Sequence, residues 1–251
     1  MEETQMRVVV AGATGRIGSR TVGRLRDHGV EVVSVSRSQG VDVITGEGLS
    51  EALRGVDVVV DVTDARSRAE FTSAQHFGTA TGNLLEFAAA AGAEHYVVLS
   101  VVGADRAQAG YFRAKLLQEE LARRSPIPHS VVRATPFFES VEALSVSNVH
   151  ADGVHVSPAR ARPASLDDVA ATVAHISVGV PLFGLLEFGG PEEFRLNELV
   201  STLVASRGEH RAVIADPYAP FFGAVLEERT LLPGAEARLG RGTIAQWLEH
   251  R

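Results

Sequence analysis

A glycine-punctuated turn near the start of the chain constrains the fold more than any other feature of the sequence. Residues 6–10 (MRVVV) form an apolar run that leads into residues 11–18 (AGATGRIG), and a helical pattern follows. Gly12 lets the chain turn sharply out of a strand, Gly15 leaves room for a phosphate near the backbone, and Gly18 lets the new helix lie close to the sheet. The N–H groups at the start of that helix favour an anion. The sequence therefore predicts a dinucleotide-binding strand–turn–helix unit.

Apolar runs and helical patterns alternate through the first half of the chain. Strands are predicted at residues 6–11, 31–36, 40–44, 56–60, 96–99 and 130–134. Helices are predicted at residues 16–28, 49–53, 75–91 and 110–124. Such alternation indicates parallel strands joined by right-handed crossovers. The predicted fold class is therefore α/β, with a Rossmann-like, doubly wound parallel sheet.

The pattern loosens beyond residue 135. Short strands are predicted at residues 154–157, 185–188 and 212–215, and helices at residues 166–176, 196–206 and 243–250. The sequence contains no repeat, low-complexity tract or long linker that would mark a domain boundary. We expect a single domain over residues 1–251. Its cofactor-binding core would span about residues 1–135, and a small C-terminal substrate-binding cap about residues 136–251.

Composition excludes several classes of function. The net charge is −7 and the basic residues are dispersed, which argues against nucleic acid as a partner because a phosphate-binding face needs clustered Lys and Arg. The absence of cysteine excludes disulfides, thiolate nucleophiles and Cys-ligated zinc. None of the nine histidines falls into a His-x-x-x-His pair, so no metal site is predicted. The polar, acidic start and the lack of a long apolar run predict a cytoplasmic protein with no membrane partner.

A second group of residues points to acid–base chemistry. Tyr111 and Lys115 are four residues apart on one predicted helix, so their side chains share a face. A free tyrosine has a pKa near 10, and a neighbouring ammonium lowers that pKa towards a useful range. Ser100 ends a predicted strand, at the sheet edge where ligands bind in this architecture. The alternative is that Tyr111 is an interfacial aromatic and Lys115 a solvated helix lysine, as most such pairs are.

These segments together resemble a known family. AGATGRIGS near the start, LSVVGAD after the fifth main strand and GYFRAKLLQEEL in the next helix are similar to the atypical short-chain dehydrogenases/reductases. Within that family they are closest to the NmrA-like NAD(P)-binding proteins. The resemblance continues through RATPFF at residues 133–138, DVA at 168–170 and GGPE at 189–192, and so covers nearly the whole chain.

The resemblance implies roles for individual residues. The turn glycines Gly12, Gly15 and Gly18 would bind the pyrophosphate, and Lys115 would hold the nicotinamide ribose. Ser100 and Tyr111 would handle a carbonyl–alcohol pair during hydride transfer, with Lys115 as the third catalytic residue. Two departures stand out. Residues 60–63 (VDVT) lack the asparagine motif that many members use in a proton relay, and only about ten residues separate the serine from the tyrosine.

The end of the second predicted strand bears on the choice of cofactor. An acid at this point would favour NAD, but the chain has Arg37 between two serines, which suits a 2′-phosphate. Arg16 in the glycine turn could assist, and Asp42 and Val43 are candidates to flank the adenine. The alternative is that Arg37 is an ordinary exposed arginine. We therefore predict NADP(H) as the preferred cofactor, with NAD(H) possible. The other predicted cofactor contacts are Thr14, Ile17, Val62, Thr63 and Pro136.

Two functions remain open from the sequence. The first is an oxidoreductase that transfers a hydride between NADP(H) and a carbonyl or alcohol. Its small-molecule substrate would be hydrophobic and would contact Phe137 and Phe138. The second is a non-catalytic NAD(P)-binding redox sensor, as some NmrA-like proteins are. A nucleotide-sugar epimerase or dehydratase is disfavoured because residues 135–251 are few for a sugar-nucleotide pocket, and the oligomeric state is left open.

Overall fold

The computed structural model describes residues 5–250. Its strands are β1 (Arg7–Ala11), β2 (Glu31–Val35), β3 (Val58–Asp61), β4 (His95–Val101), β5 (His129–Ala134), β6 (Val149–His150), β7 (Gly153–Val156), β8 (Arg160–Ala161), β9 (Gly184–Gly189), β10 (Phe194–Arg195), β11 (Val213–Ala215) and β12 (Arg238–Leu239). Its helices are α1 (Arg16–Asp27), α2 (Leu49–Ala52), α3 (Glu70–Ala90), α4 (Gly110–Arg124), α5 (Phe138–Ser147), α6 (Leu166–Ser177), α7 (Leu196–Ser206) and α8 (Ile244–Glu249). Most of the predicted elements are therefore present, with ends that differ by a few residues.

Seven of these strands form one central sheet, in the order β12-β9-β5-β4-β3-β1-β2. Every pairing within it is parallel, and Val8 of β1 lies opposite Val32 on one side and Val58 on the other. The valine-rich strands β1 and β3 are buried on both faces, which explains their continuous apolar sequence. Strand β2 lies on one side of β1, and β3 and the later strands lie on the other side, so the strand order reverses at β1. The prediction of a doubly wound α/β fold is confirmed.

Helices cover both faces of the sheet. On one face α1 and α6 pack together, and their apolar residues join the β1 and β3 valines in one core cluster. On the other face α3 packs against α4, and a second cluster contains Leu84 and Ala122 from these helices. The carboxyl ends of the parallel strands are left open between the two layers. That edge is where ligands bind in sheets of this kind.

The strand predicted at residues 40–44 is not formed. Gly40 has a left-handed backbone (φ +78°), and the side chain of Asp42 accepts a hydrogen bond from the Ile44 amide at 2.7 Å. The Gly46 amide then bonds back to the Asp42 carbonyl. These local hydrogen bonds fold the segment into turns, because an aspartate side chain competes with a strand partner for backbone N–H groups. As a result β2 is the edge strand of the sheet.

The boundary predicted near residue 135 needs a correction, because the sheet continues past it. Strand β9 pairs with β5 and β12 pairs with β9, while α6 packs against α1. The parts of the chain that lie outside the central sheet include α5, α7 and a three-stranded sheet in the order β11-β7-β6. Helix α5 was not predicted from the sequence. We call α5, β6, β7, α7, β11 and residues 216–224 the cap.

Candidate active site

The glycine turn between β1 and α1 has the geometry expected of it. Gly12 has φ +83°, and a Cβ atom there would lie 2.8 Å from the Val62 carbonyl oxygen. A Cβ on Gly15 would lie 3.2 Å from the Gly12 oxygen, and one on Gly18 would lie only 2.0 Å from it. No side chain of the described residues caps α1 at Gly15. The first-turn amides of α1 are therefore available to an anion, and the turn fits a dinucleotide pyrophosphate.

A cavity of about 1360 Å³ begins at this turn and follows the carboxyl ends of β2, β3 and β4 to the cap. Most of the sequence-predicted site residues line it. They are Gly12, Thr14, Gly15, Arg16, Ile17, Arg37, Asp42, Val43, Val62, Thr63, Ser100, Tyr111, Lys115 and Phe137. Gly18, Pro136 and Phe138 do not line it. Phe138 is buried against Trp247, at a ring-centroid distance of 5.7 Å, so the prediction that it contacts substrate is wrong for this geometry.

One end of the cavity lies beside the loop after β2. Arg37 begins a short 3₁₀ turn there and is exposed, and no carboxylate oxygen of residues 5–250 lies within 4.0 Å of its guanidinium. Ser36 and Ser38 face each other with their hydroxyl oxygens 2.9 Å apart. An unpaired arginine beside two hydroxyls offers only favourable partners to a phosphate. The donor set therefore fits the 2′-phosphate of NADP(H).

Lys115 reaches the cavity wall but is almost completely buried. Its Nζ donates to the Leu99 carbonyl at 2.6 Å and to Gln118 Oε1, and it lies 4.5 Å from the centre of the Phe77 ring. Burial lowers the pKa of Lys115 to about 8, against the opposing attraction of Asp61 and other carboxylates. The ammonium is therefore held in a buried polar network, and its hydrogen bonds go to Leu99 and Gln118 and not to Tyr111.

Asp61 is the centre of that network. It is fully buried at the end of β3, and its two oxygens accept five hydrogen bonds. The donors are the Thr63 amide and hydroxyl, the Thr81 hydroxyl, the Tyr96 hydroxyl and the Gln118 amide. A buried carboxylate is tolerated only with such complete hydrogen bonding. The network fixes the carboxyl end of β3 against α3 and α4.

Tyr111 has a different partner from the one that its spacing suggests. Its hydroxyl donates to Asp64 Oδ1 at 2.7 Å. Burial, and then the charge of Asp64, raise the pKa of Tyr111 well above 10. The expectation that Lys115 lowers this pKa is therefore wrong, because the lysine points into the Asp61 network and a carboxylate stands next to the phenol. Tyr111 is a neutral phenol throughout the neutral pH range.

Asp64 is itself held by Arg68. The two guanidinium nitrogens donate to the two carboxylate oxygens at 2.7 and 2.8 Å. Burial would raise the pKa of Asp64, but the Arg68 guanidinium and the Tyr111 hydroxyl leave it lowered. The Arg68 guanidinium carbon lies 4.3 Å from the centre of the Tyr111 ring and 4.8 Å from that of Phe222. We call these four residues the tyrosine clasp.

The geometry of Ser100 differs from the prediction. Its hydroxyl donates to Glu119 Oε1 at 2.6 Å, inside the protein. Glu119 in turn forms a two-pronged ion pair with Arg133, with both nitrogen–oxygen distances at 2.8 Å. The Ser100 proton is therefore directed away from the cavity. This geometry does not support its predicted role as a donor to a substrate oxygen.

Phe222 forms a wall of the cavity next to Tyr111. Its backbone is left-handed (φ +50°), and its carbonyl accepts the Tyr111 amide at 3.0 Å. The Phe222 and Tyr111 rings are edge-to-face, with their centroids 5.5 Å apart. A Cβ on Gly110 would lie 2.4 Å from the Phe222 oxygen, so only glycine allows this contact. The cap thus reaches the predicted catalytic tyrosine directly.

Sequence reasoning missed part of this site. Asp64, Arg66, Arg68, His76 and Phe222 line the cavity but were not predicted to do so. The available signal was positional, because polar side chains that follow a buried strand collect at the carboxyl edge of the sheet. That signal points to Asp64, three residues after β3. Phe222 had no such signal because it lies 111 residues after Tyr111 in the chain.

Comparison with known proteins assigns the family. The model of the NAD(P)H-binding family matches residues 12–177. The chain belongs to this family. The matched region begins at Gly12 of the turn and includes Tyr111 and Lys115. The resemblance to NAD(P)-binding atypical short-chain dehydrogenases/reductases is thereby confirmed.

Individual curated relatives match only part of the chain and at low sequence identity. A reductase of (4-alkanoyl-5-oxo-2,5-dihydrofuran-3-yl)methyl phosphate from Streptomyces griseus is 31% identical over 147 residues, which are 53% of this chain and 49% of that protein. The chain spans about half the length of the curated relatives it matches.

Solved structures share the fold over nearly the whole chain. An NADPH-dependent quinone oxidoreductase from Escherichia coli has a TM-score of 0.67 at 16% identity, covering 97% of this chain and 98% of the other. MoeE5 in complex with UDP-glucose and NAD has a TM-score of 0.71 at 19% identity, covering 97% and 96%. At these identities the likeness shows the fold alone, and the neighbours include both NADPH-dependent and NAD-bound proteins.

Among residues 5–250 no helix is both long enough and apolar enough to span a bilayer. No three His, Asp or Glu side chains among the same residues come together in an arrangement that could hold a metal ion.

Proposed function

We propose that this protein is an NADP(H)-dependent oxidoreductase that transfers a hydride between nicotinamide and the carbonyl or alcohol group of a small molecule. The observation that carries the proposal is the single cavity that joins the glycine turn to Tyr111 along the carboxyl edge of the sheet. A dinucleotide bound with its pyrophosphate at the turn extends along this edge in such folds. Family membership supports the cofactor, and the relatives that are reductases support the reaction class.

The residues of this chain then have distinct tasks. Gly12, Gly15 and the α1 amides bind the pyrophosphate, and Arg37 binds the 2′-phosphate. The bound cofactor supplies or accepts the hydride. Tyr111 contacts the substrate oxygen, and Phe222 and Phe137 exclude water from the reacting atoms. Lys115 fixes the floor of the cavity through Leu99 and the Asp61 network.

The cofactor preference is tested by calorimetric titration with NADPH, NADP⁺, NADH and NAD⁺ separately. We expect tighter binding of the phosphorylated pair. Arg37→Ala should weaken NADPH binding by about 10- to 100-fold, the value of one charge-assisted hydrogen-bonded contact, and leave NADH nearly unchanged. Arg24→Ala, at the far end of α1, is the matched control and should change neither. Failure of all four nucleotides to bind would refute the proposal, and an equal effect on NADH would refute the role of Arg37.

The catalytic role of Tyr111 is tested with Tyr111→Phe, which keeps the ring and removes the hydroxyl. Loss of a group that acts on the substrate oxygen should lower the rate of hydride transfer by about 10²–10⁴-fold. Cofactor binding by this variant should be unchanged. Normal turnover in Tyr111→Phe would refute the role. Tight cofactor binding with no turnover on any carbonyl or alcohol would instead support the redox sensor.

A further inference from the structure

The proposed reaction does not explain why the Tyr111 hydroxyl in the tyrosine clasp donates its hydrogen bond to Asp64. A phenol has one proton, and Tyr111 donates it to Asp64 at 2.7 Å. The carboxylate has no proton to give back, because Arg68 donates to both of its oxygens. The Arg68 guanidinium also acts on the phenol oxygen. What that oxygen still offers a ligand is therefore a lone pair and not a proton.

We propose that Asp64 is a positioning residue that turns the Tyr111 proton away from the cavity, so that Tyr111 presents a hydrogen-bond acceptor to the substrate. The site then selects ligands that carry a hydroxyl or N–H donor at this point, such as the alcohol form of a carbonyl–alcohol pair. This inference rests on the proposed function for its substrate class. The clasp geometry itself does not depend on it.

The residues around the clasp keep Tyr111 protonated and Asp64 ionised. Arg68 and Lys115 are the cations that act on Asp64, and His76 lies nearby on α3. Burial and the Asp64 charge hold Tyr111 protonated, while the Arg68 guanidinium and the Tyr111 hydroxyl hold Asp64 ionised. Arg68 is packed against the Tyr111 and Phe222 rings, which restrains the carboxylate that it holds. The proton direction is thus fixed before any ligand binds.

The first test measures the phenol and needs no cofactor. The chain has three tyrosines, of which Tyr218 is exposed and Tyr96 is bonded to Asp61. Alkaline ultraviolet titration of the apoprotein, compared with Tyr111→Phe, isolates the ionisation of Tyr111. We expect Asp64→Asn to move that ionisation down by about one pH unit or more, a tenfold change, because a negative charge is removed from beside the phenol.

Controls separate this effect from a general disturbance of the cavity. Asp42→Asn neutralises another carboxylate of the same cavity, whose Oδ1 bonds to the Ile44 amide, and should leave the Tyr111 titration unchanged. Asp64→Ser removes the same charge with a smaller side chain and gives a second test should the amide variant fail to fold. Asp64 is half-exposed, so neither change empties the core. A Tyr111 titration that is identical in wild type and both Asp64 variants would overturn the proposal.

The second test measures ligand selection. Binding of 1-phenylethanol and acetophenone to the protein is followed by NMR titration in wild type and Asp64→Asn. In the variant Arg68 holds the carboxamide oxygen, since a guanidinium has only donors, and the carboxamide N–H₂ faces the phenol. The Tyr111 proton then turns into the cavity. The preference for the alcohol over the ketone should fall by about 10-fold, the value of one hydrogen bond, and an unchanged ratio would contradict the selection step.

The proposed function and the positioning role of Asp64 can be refuted independently of each other. Loss of hydride transfer with every carbonyl tested, while Asp64→Asn still shifts the Tyr111 titration, would refute the proposed function and keep the positioning role. Hydride transfer that depends on Tyr111, with no effect of the Asp64 variants on the Tyr111 titration, would refute the positioning role and keep the proposed function.

Discussion

Burial controls the protonation of Tyr111 and Lys115, two of the predicted catalytic residues. Lys115 and Tyr111 lie four residues apart on α4, yet each has a closer partner elsewhere: the lysine bonds to Leu99 and Gln118, and the tyrosine to Asp64. Burial lowers the pKa of Lys115 to about 8 and raises that of Tyr111 well above 10. Both shifts favour the neutral form, as desolvation requires. Helical spacing places two residues on one face, but the environment decides their protonation.

His95 provides a prediction at this scale. It is buried at the start of β4, where its Nε2 lies 2.8 Å from the Ser130 hydroxyl. Burial, and then the nearby His129, lower its pKa to about 4 from 6.5. The unfolded chain therefore binds the proton more tightly, so the free energy of unfolding falls as pH drops from about 6.5 to about 4, by about 3 kcal/mol from this group.

The measurement is urea unfolding at several pH values. His95→Gln keeps a hydrogen-bonding group beside Ser130 and should remove this contribution to the pH slope. His175→Gln, on the exposed face of α6, is the control and should follow wild type. Equal slopes for wild type and His95→Gln between pH 4 and 6.5 would contradict the prediction.

Among the elements, α1 depends most closely on single glycines. Gly18 lies where the helix packs on its own turn, and a methyl group there would meet the Gly12 carbonyl at 2.0 Å. Gly23, five residues later on the same helix, has nothing within 4 Å of its Cβ position. The two positions share a helix and differ in burial and in the space around them. They therefore form a matched pair.

Alanine at these two positions should have opposite effects. Gly18→Ala should destabilise the fold by about 2–3 kcal/mol, because a backbone atom must move, and should weaken NADPH binding at the distorted turn. Gly23→Ala should stabilise by about 0.5–1 kcal/mol through helix propensity, with cofactor binding unchanged. Urea unfolding and the same nucleotide titration measure both effects. A loss of stability in both variants would contradict the packing argument.

The sequence predicted elements well where local pattern and tertiary packing agree. The buried valine strands and the helices α4 and α7 have strong patterns and were predicted closely. Residues 40–44 have a strand-like pattern but fold into turns through Asp42 and two glycines. Helix α5 was missed because its apolar residues have little helical periodicity and the helix directly follows β5. The predictions therefore failed where other interactions outweigh the local pattern: local hydrogen bonds at residues 40–44 and long-range packing at α5.

The candidate site also contains residues whose positions the local pattern predicts and residues whose positions depend on long-range packing. The glycine turn and Arg37 are contiguous with predicted elements, so their positions followed from the sequence. The Asp64–Tyr111 bond joins residues 47 apart, and the Phe222 contact crosses 111 residues. Such pairs depend on how α3, α4 and the cap pack together. The sequence alone carries no spacing rule for them.

At the scale of the whole molecule, the cap shares a buried hydrophobic cluster with Phe112 of α4 and is also hydrogen-bonded to the start of that helix. The Tyr111 amide bonds to the Phe222 carbonyl at 3.0 Å, and Gly110 (φ +60°) makes room for it. In the cap, His155 lies between Asp152 and Asp216, at 3.1 and 3.0 Å. Residues 216–224 thus connect the three-stranded sheet to the tyrosine clasp. Pro220, Phe222 and Gly223 of this segment line the cavity, so the position of the segment sets the shape of the cavity at that end.

Gly110→Ala should loosen this connection. A Cβ there would meet the Phe222 oxygen at 2.4 Å in a left-handed backbone conformation, so the segment must withdraw. We expect amide hydrogen exchange at Tyr111 and residues 216–224 to accelerate by about tenfold or more, since one hydrogen bond and its packing are lost. Gly82→Ala, on α3 with nothing within 4 Å of its Cβ position, is the control and should leave exchange there unchanged. Unaltered protection of the segment in Gly110→Ala would show that other contacts hold it.

The pairing of α1 with α6 has a consequence for biosynthesis. The apolar face of α1 is complete once residue 27 has emerged from the ribosome, but its partner spans Leu166–Ser177. At ordinary translation rates the wait is roughly seven to thirty seconds. During that time the nascent chain carries an uncovered hydrophobic stripe and valine strands with no layer on one side. Chaperone capture should therefore concentrate on chains of intermediate length and end when α6 is released.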